Sequence, residues 1–417
     1  MKKICILAAV ALCVALTGCT APHLSAEFEV GSDVIPLPDP TPQPTLQVEE
    51  TPSPLPVSQS VGQVTYRPEA APSAWMDSEN FSTALYALLV ESIRTGSEEA
   101  SLGTLEVTKE QFEGVRTFLL SRNPWGTLTD ITRSEEGEIK ITYSTDDTQQ
   151  RVEEAQRFDQ AVTSVLQNLV PPESTQLSAS VALYKYVAQT IEEDYEAEDG
   201  GLYSALVEGK GVNQTYALTY SFLLDQIGVE NTVVFSEDGA HAWNVLTMDG
   251  RSFHCDPQVE AGLNGGQALT CFGLSDASMA QKNGWNTWAS ENSTLLTCDS
   301  DILTGVQEAP FADVDAAGNA IYFSQMDGRN SVFRYDLSNA EVLEVVQVEP
   351  ASLAVLGSGV YYLDNADSML YCYDTQSGNV RQALEGVPLR SMRREGSQLL
   401  YVTQQDEEGT ENVISLE

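Results

Sequence analysis

Apolar positions along this chain change their period more than once, and each change marks a different kind of element. Leu85, Leu88, Leu89 and Ile93 recur at helical spacing over 81–94, and the stripe stops at Gly96. Thr108-Lys109-Glu110-Gln111 has the form of a capping box, and it predicts a second helix through Leu120. Two short strands are expected over 126–131 and 138–143, turning at Glu135-Glu136-Gly137. A long helix is predicted over 149–169, with Val152, Ala155, Phe158, Val162, Val165, Leu166 and Leu169 on one face and Pro171-Pro172 as its stop. Another covers 181–191. From 209 the order is turn, helix over 214–227, strand over 229–235, then a hairpin of 240–248 and 251–255 across Asp249-Gly250.

The last hundred residues alternate more tightly. Ile321, Val360 and Leu399 are spaced 39 residues apart and sit in similar Gly-x-x-apolar segments. Second strands end in Phe333-Arg334-Tyr335-Asp336 and Tyr371-Cys372-Tyr373-Asp374, and the third unit offers Val413-Ile414-Ser415-Leu416. A period near 40 with several strands per unit is propeller-like, but three units are fewer than a closed propeller uses. An incomplete propeller, or an open stack of small sheets used for binding or packing, is expected.

No such periodicity precedes residue 74. Lys2 and Lys3 lead an apolar run, Ile4 to Ala15, too short to span a bilayer with its flanks. It ends in Leu16-Thr17-Gly18-Cys19, which resembles the lipobox of bacterial lipoproteins. The resemblance implies cleavage before Cys19 and a diacylglyceryl group on its sulfur, a two-chain membrane anchor. Eleven of the eighteen prolines then fall between Pro22 and Pro72. Proline removes backbone donors and fixes φ, so this stretch is expected to be a semi-extended tether. At about 3.1 Å per residue, roughly fifty residues reach on the order of 150 Å. The expected layout is a signal segment at 1–19, a tether at 20–73, an α+β domain at 74–300 and a β-repeat domain at 301–417. Within the α+β domain, 74–200 is a helical lead-in and 201–275 the core.

Composition narrows the partners. The chain has 417 residues, 42% of them hydrophobic, with 61 acidic against 21 basic side chains and a net charge of -40. That is a globular composition whose surface repels nucleic acid and anionic headgroups. No calcium-loop spacing occurs, and no cofactor or metal is expected. Beyond Cys19 the mature chain carries Cys255, Cys271, Cys298 and Cys372, whose spacing leaves disulfide, free and buried states open.

The chemistry gathers between Gly209 and Pro257. A helix N-terminus lowers the pKa of a thiol placed on it, a histidine on a nearby strand takes the proton, and an aspartate orients the imidazole. Gly211-Val212-Asn213-Gln214-Thr215-Tyr216-Ala217, His241-Ala242-Trp243-Asn244 and Phe253-His254-Cys255-Asp256 reproduce that layout. This set resembles the transglutaminase-like superfamily in its bacterial surface-protein branch, strongly over about seventy residues from Leu202 to Gly273. The resemblance implies a papain-like α+β core with His241 as base and Asp256 as its orienter. Two departures weigh against activity. Asn213 stands at the nucleophile position, and Thr215 replaces the second glycine. Cys255 is expected to aim away from His241, because successive strand residues face opposite sides. Trp243 is expected to be core, and His254 to lie near the cleft of Asp256. The expected function is an extracytoplasmic, lipid-anchored module that binds a protein or cell-wall peptide, with an inactive site. The alternative is an acyltransferase or peptidase using another nucleophile.

Overall fold

The computed structural model describes residues 59–414, apart from 123, 195–200, 286, 293–295, 300, 316–318, 396–397 and 407. The expected lipobox with Cys19 and the expected tether up to 58 lie outside the described residues, as do Ser415 and Leu416 of the expected third unit. The fold is α+β, with several helices and several small antiparallel sheets.

The lead-in follows its capping chemistry. Helix α1 (Thr83–Arg94) starts where the Ser82 hydroxyl accepts the Leu85 N–H, and it buries Leu85, Leu89 and Ile93. A short β1 (Glu99–Ala100) follows. The N–H of Gln111 donates to Thr108 Oγ1, and the N–H of Thr108 donates to Gln111 Oε1, both at 3.1 Å, ahead of α2 (Lys109–Arg122). Strands β2 (Leu128–Arg133) and β3 (Ile139–Tyr143) pair antiparallel, with β1 on the far edge of β3. Asp147 caps α3 (Thr148–Leu169). Helix α4 (Gln176–Thr190) begins five residues before the apolar stripe suggests, because Thr175 and Ser178 cap each other's N–H groups.

Next, β4 (Glu192–Glu193) pairs in parallel with β5 (Lys210–Gly211), which delivers the chain to α5 (Asn213–Gln226). Strands β6 (Glu230–Ser236), β7 (Ala242–Met248) and β8 (Arg251–Cys255) come next, then α6 (Pro257–Ala261), β9 (Phe272–Leu274), α7 (Asp276–Asn283) and β10 (Trp288–Ser290). They form one antiparallel sheet in the order β10-β6-β7-β8-β9. Asp249 and Gly250 take φ of 50° and 75°, the doubly left-handed turn that matches strand twist in a tight hairpin. Helix α5 lies against β6 and β7, with α4 behind it.

The tail forms three antiparallel meanders. The first is β11 (Ala312–Asp315), β12 (Ala320–Met326), β13 (Arg329–Asp336) and β14 (Val342–Val346). The second is β15 (Pro350–Leu356), β16 (Gly359–Asp364), β17 (Leu370–Asp374) and β18 (Val380–Gln382). The third is β19 (Leu389–Glu395), β20 (Gln398–Thr403) and β21 (Asn412–Ile414). Ile321, Val360 and Leu399 occupy the second strand of each, and none of the sheets closes into a barrel. Their first strands are linked: the Val355 N–H donates to Asp313 Oδ2 at 3.1 Å, and Arg394 Nη1 donates to the Val355 carbonyl at 2.8 Å.

The tail packs on the central region. Ala312, Val314, Ile321, Phe323 and Phe333 share one buried core with the helices. Lys185 of α4, itself buried, donates to the carbonyls of Gln267 and Ala312 and lies 3.5 Å from Asp313. Burial lowers its pKa against the pull of Asp313.

The expected tether ends earlier than its prolines suggest. Val61 N–H donates to the Ser174 carbonyl, Arg67 N–H to Gln226 Oε1, and Ser73 to Asp225. Val61, Val64 and Tyr66 pack against the core, so 59–73 belongs to the folded body. Among the described residues no helix is long and apolar enough to cross a membrane.

Candidate functional site

The turn into α5 is built by two glycines with different reasons. Gly209 sits at φ 71°, a region that favours glycine. At Gly211 a Cβ would come within 2.7 Å of the Thr215 Cβ. The Thr215 hydroxyl accepts the Val212 N–H at 3.0 Å, so the residue that departs from the glycine pattern closes the helix start. The helix therefore begins at Asn213, one residue earlier than expected. Asn213 Nδ2 donates to the Ala240 carbonyl at 3.4 Å, which places it against the residue before His241. Its Oδ1 is buried and accepts no hydrogen bond, a state that costs about 1–3 kcal/mol.

His241 and Asp256 meet as expected. His241 Nε2 lies 2.9 Å from Asp256 Oδ2, and Asp256 is fully buried. A carboxylate only accepts, so the neutral imidazole carries its proton on Nε2 and keeps the Nδ1 lone pair. The other Asp256 oxygen accepts the Val259 N–H at 3.1 Å and caps α6. One carboxylate thus orients the imidazole and starts a helix. Over the imidazole lies Trp285, stacked at 4.0 Å and 11°, and Trp285 stacks in turn on Trp243 at 5.1 Å. His241 is only 8% exposed beneath this cover.

A second chain of polar groups runs behind Trp243. Its indole Nε1–H donates to His254 Nδ1 at 2.9 Å, and His254 Nε2 lies 2.8 Å from Asp276 Oδ1. Asp276 Oδ2 accepts the Cys298 N–H at 3.2 Å. His254 is buried, and desolvation lowers its pKa although Asp276 pulls the other way. The ligand atoms of His254, Asp276 and Cys298 all lie within 4.8 Å of one another, the spacing of a metal site. Proton accounting opposes that use. With Nδ1 accepting from the indole, Nε2 holds the ring proton and donates it in a hydrogen bond to Asp276. A cation on Nε2 would force the proton to Nδ1, against the indole N–H.

The remaining motif residues have structural work. Trp243 is core as expected, with no exposure. Asn244 Nδ2 donates to the Ala217 carbonyl at 2.9 Å and ties β7 to α5. His254 lies beside the site but is bonded away from it. Alternation holds at this end of β8, so Cys255 turns away from His241, although the register shifts after His254 and Asp256 lies past the strand end. Cys255 joins the main core while His254 faces the Trp243 side, and burial pushes the Cys255 thiol well up. Cys255, Cys271, Cys298 and Cys372 are all free and buried.

No periodicity or motif in the sequence points to Trp285 or Asp276 as site residues. The one local signal at Asp276 is Ser275, which caps α7 directly before it. Nothing in the sequence points to Glu260 either: it accepts the Cys271 N–H at 2.8 Å and the Tyr184 hydroxyl at 3.0 Å, and burial raises its pKa. Cys19 lies outside the described residues.

Neither a family model nor a curated protein matches the sequence. Among solved structures, a candidate cysteine protease of Cytophaga hutchinsonii is 11% identical over 34% of this chain, with a TM-score of 0.22. This chain spans 55% of that protein's length. The computationally designed Ika4 protein is 15% identical over 42% of this chain and 86% of its own, at a TM-score of 0.19. TolB of Acinetobacter baumannii is 11% identical over 49% of this chain and 57% of its own, at 0.21. TM-scores this low carry no argument.

Proposed function

We propose that this protein is a membrane-anchored, extracytoplasmic lipoprotein whose transglutaminase-like domain holds a protein or cell-wall peptide without cleaving it. Asn213 carries the reading. It stands at the first turn of α5, where a thiol would be activated, and a carboxamide is neutral with a delocalised nitrogen lone pair. No thioester forms on it. His241 and Asp256 retain the geometry of an oriented base, but the position beside them offers no thiol to deprotonate. Cys255 is no substitute, because burial holds its thiol protonated.

What the site retains suits holding. A helix N-terminus favours partial negative charge in whatever lies against it. The Cys19 lipid supplies the anchor and the proline-rich stretch the reach. The tail, an open propeller-like stack, adds surface.

The test is chemical. Purified protein given amide-bearing peptides, with and without an amine acceptor, is expected to release no ammonia and form no conjugate above background. Turnover abolished by iodoacetamide would overturn the reading. For the anchor, labelled palmitate is expected to mark the wild type and not Cys19→Ala, and the variant is expected to leave the membrane fraction. Equal labelling of both would contradict the anchor.

A further inference from the structure

One buried lysine–carboxyl pair joins the helices to the tail and takes no part in the site at Asn213. Lys185 lies in α4 and Asp313 on β11, and each is only 5% exposed. Lys185 Nζ stands 3.5 Å from Asp313 Oδ1. A charge-assisted N–H···O bond is shorter, at about 2.7–2.9 Å, so the pair is not closed as a tight salt bridge.

Two neutral carbonyls hold the nitrogen instead. Nζ donates to the carbonyl of Gln267 at 3.2 Å and to that of Ala312. An uncharged amine has two N–H bonds and one lone pair. The carbonyls take both N–H bonds, which leaves the lone pair for the position beside Asp313. Burial lowers the Lys185 pKa against the pull of Asp313, and Arg394 adds to the lowering as a like charge. Both effects favour the nucleophilic, uncharged form.

The carboxyl is equally fixed. Its Oδ1 accepts the Val314 N–H at 2.8 Å and its Oδ2 the Val355 N–H at 3.1 Å. Those donors stabilise charge on the two oxygens if the carbon between them becomes tetrahedral. A cavity of about 40 Å³, lined by Lys185, Asp313, Tyr186 and Arg394 among others, adjoins the pair and has room for a water.

We propose that Lys185 and Asp313 join in an amide cross-link between α4 and β11. The Lys185 nitrogen attacks the Asp313 carboxyl carbon, and a C–N bond forms. One C–O bond then breaks, and the departing hydroxyl takes a proton from the nitrogen and leaves as water. Amine and carboxylic acid thus give amide and water, with nothing oxidised or reduced. The fold supplies the driving proximity by holding the two groups side by side. The link welds the β-repeat tail to the helices. It uses none of Asn213, His241 and Asp256, so it stands or falls apart from the function proposed above.

The test is peptide mapping by mass spectrometry of the purified full chain, denatured, reduced and digested with a protease that cuts after arginine. One branched peptide carrying both Lys185 and Asp313 is expected, lighter by one water than its two arms apart. Lys185→Arg keeps the charge and Asp313→Ala removes the carboxyl, and each is expected to give separate peptides of full mass. Should either variant fail to fold, the wild-type map decides alone. Wild-type Lys185 and Asp313 found in separate peptides of full mass would overturn the proposal, as would a water lost at other residues while these two stay apart.

Discussion

Two imidazole–carboxylate pairs lie on neighbouring strands of one sheet and have opposite fates. His241 pairs with Asp256 at 2.9 Å and His254 with Asp276 at 2.8 Å. In the second pair both ring nitrogens are committed, because Trp243 fills the other one. In the first, Trp285 covers the ring face and Asp256 takes only Nε2. The lesson is that a histidine–carboxylate distance does not by itself mark a base. What matters is whether the second nitrogen is left with its lone pair.

The largest expected contrast is in stability. His254→Ala strands a buried indole N–H and opens a cavity, and should cost about 3–4 kcal/mol by urea unfolding. His241→Ala should cost less, about 2 kcal/mol, because Asp256 keeps the Val259 N–H and only its other oxygen loses a donor. Equal costs would erase the distinction between the pairs.

Next comes pH. Burial holds His254 below the ordinary imidazole value of 6.5, so below that pH the folded state binds fewer protons than the unfolded chain. Stability is then lost as pH falls through that range. Asp225, half-buried near the far end of α5, is raised to about 7 by desolvation and acts oppositely, losing stability as pH climbs from about 4 to 7. The comparison should therefore be made in an Asp225→Asn background. There His254→Gln is expected to flatten the loss between pH 6.5 and 5. An unchanged slope would mean that His254 does not titrate below its ordinary range.

The smallest effect on stability is expected from Trp285→Ala, about 1 kcal/mol, since that ring sits at the edge of its cluster and is partly exposed. Its chemical effect should be clear. Diethylpyrocarbonate is expected to modify His241 several-fold faster in the variant, while His254 stays protected, as read by peptide mass mapping. Equal protection of His241 with and without Trp285 would show that the indole is not its cover.

The pairing of His241 with Asp256 was legible because a two-residue turn at Asp249-Gly250 fixes the hairpin register, and register fixes which side chains meet. Helix starts at Thr108 and the stop at Gly96 were legible for the same local reason. What escaped had non-local causes. Trp285 sits in a stretch with no period, and only tertiary packing brings it onto His241. The early start of α4 depends on a Ser178 hydroxyl doing what glutamate does in the usual capping box. The binding of 59–73 to the body depends on Asp225 and Gln226, some 150 residues away in sequence.

The most direct measurement is the alkylation rate of Asn213→Cys against pH. If the turn, the start of α5 and His241 still form the scaffold of a thiol site, the introduced thiol should ionise well below the ordinary value of about 8.5. Adding His241→Ala should move it back up. A midpoint at or above the ordinary value, unmoved by the loss of His241, would contradict the account.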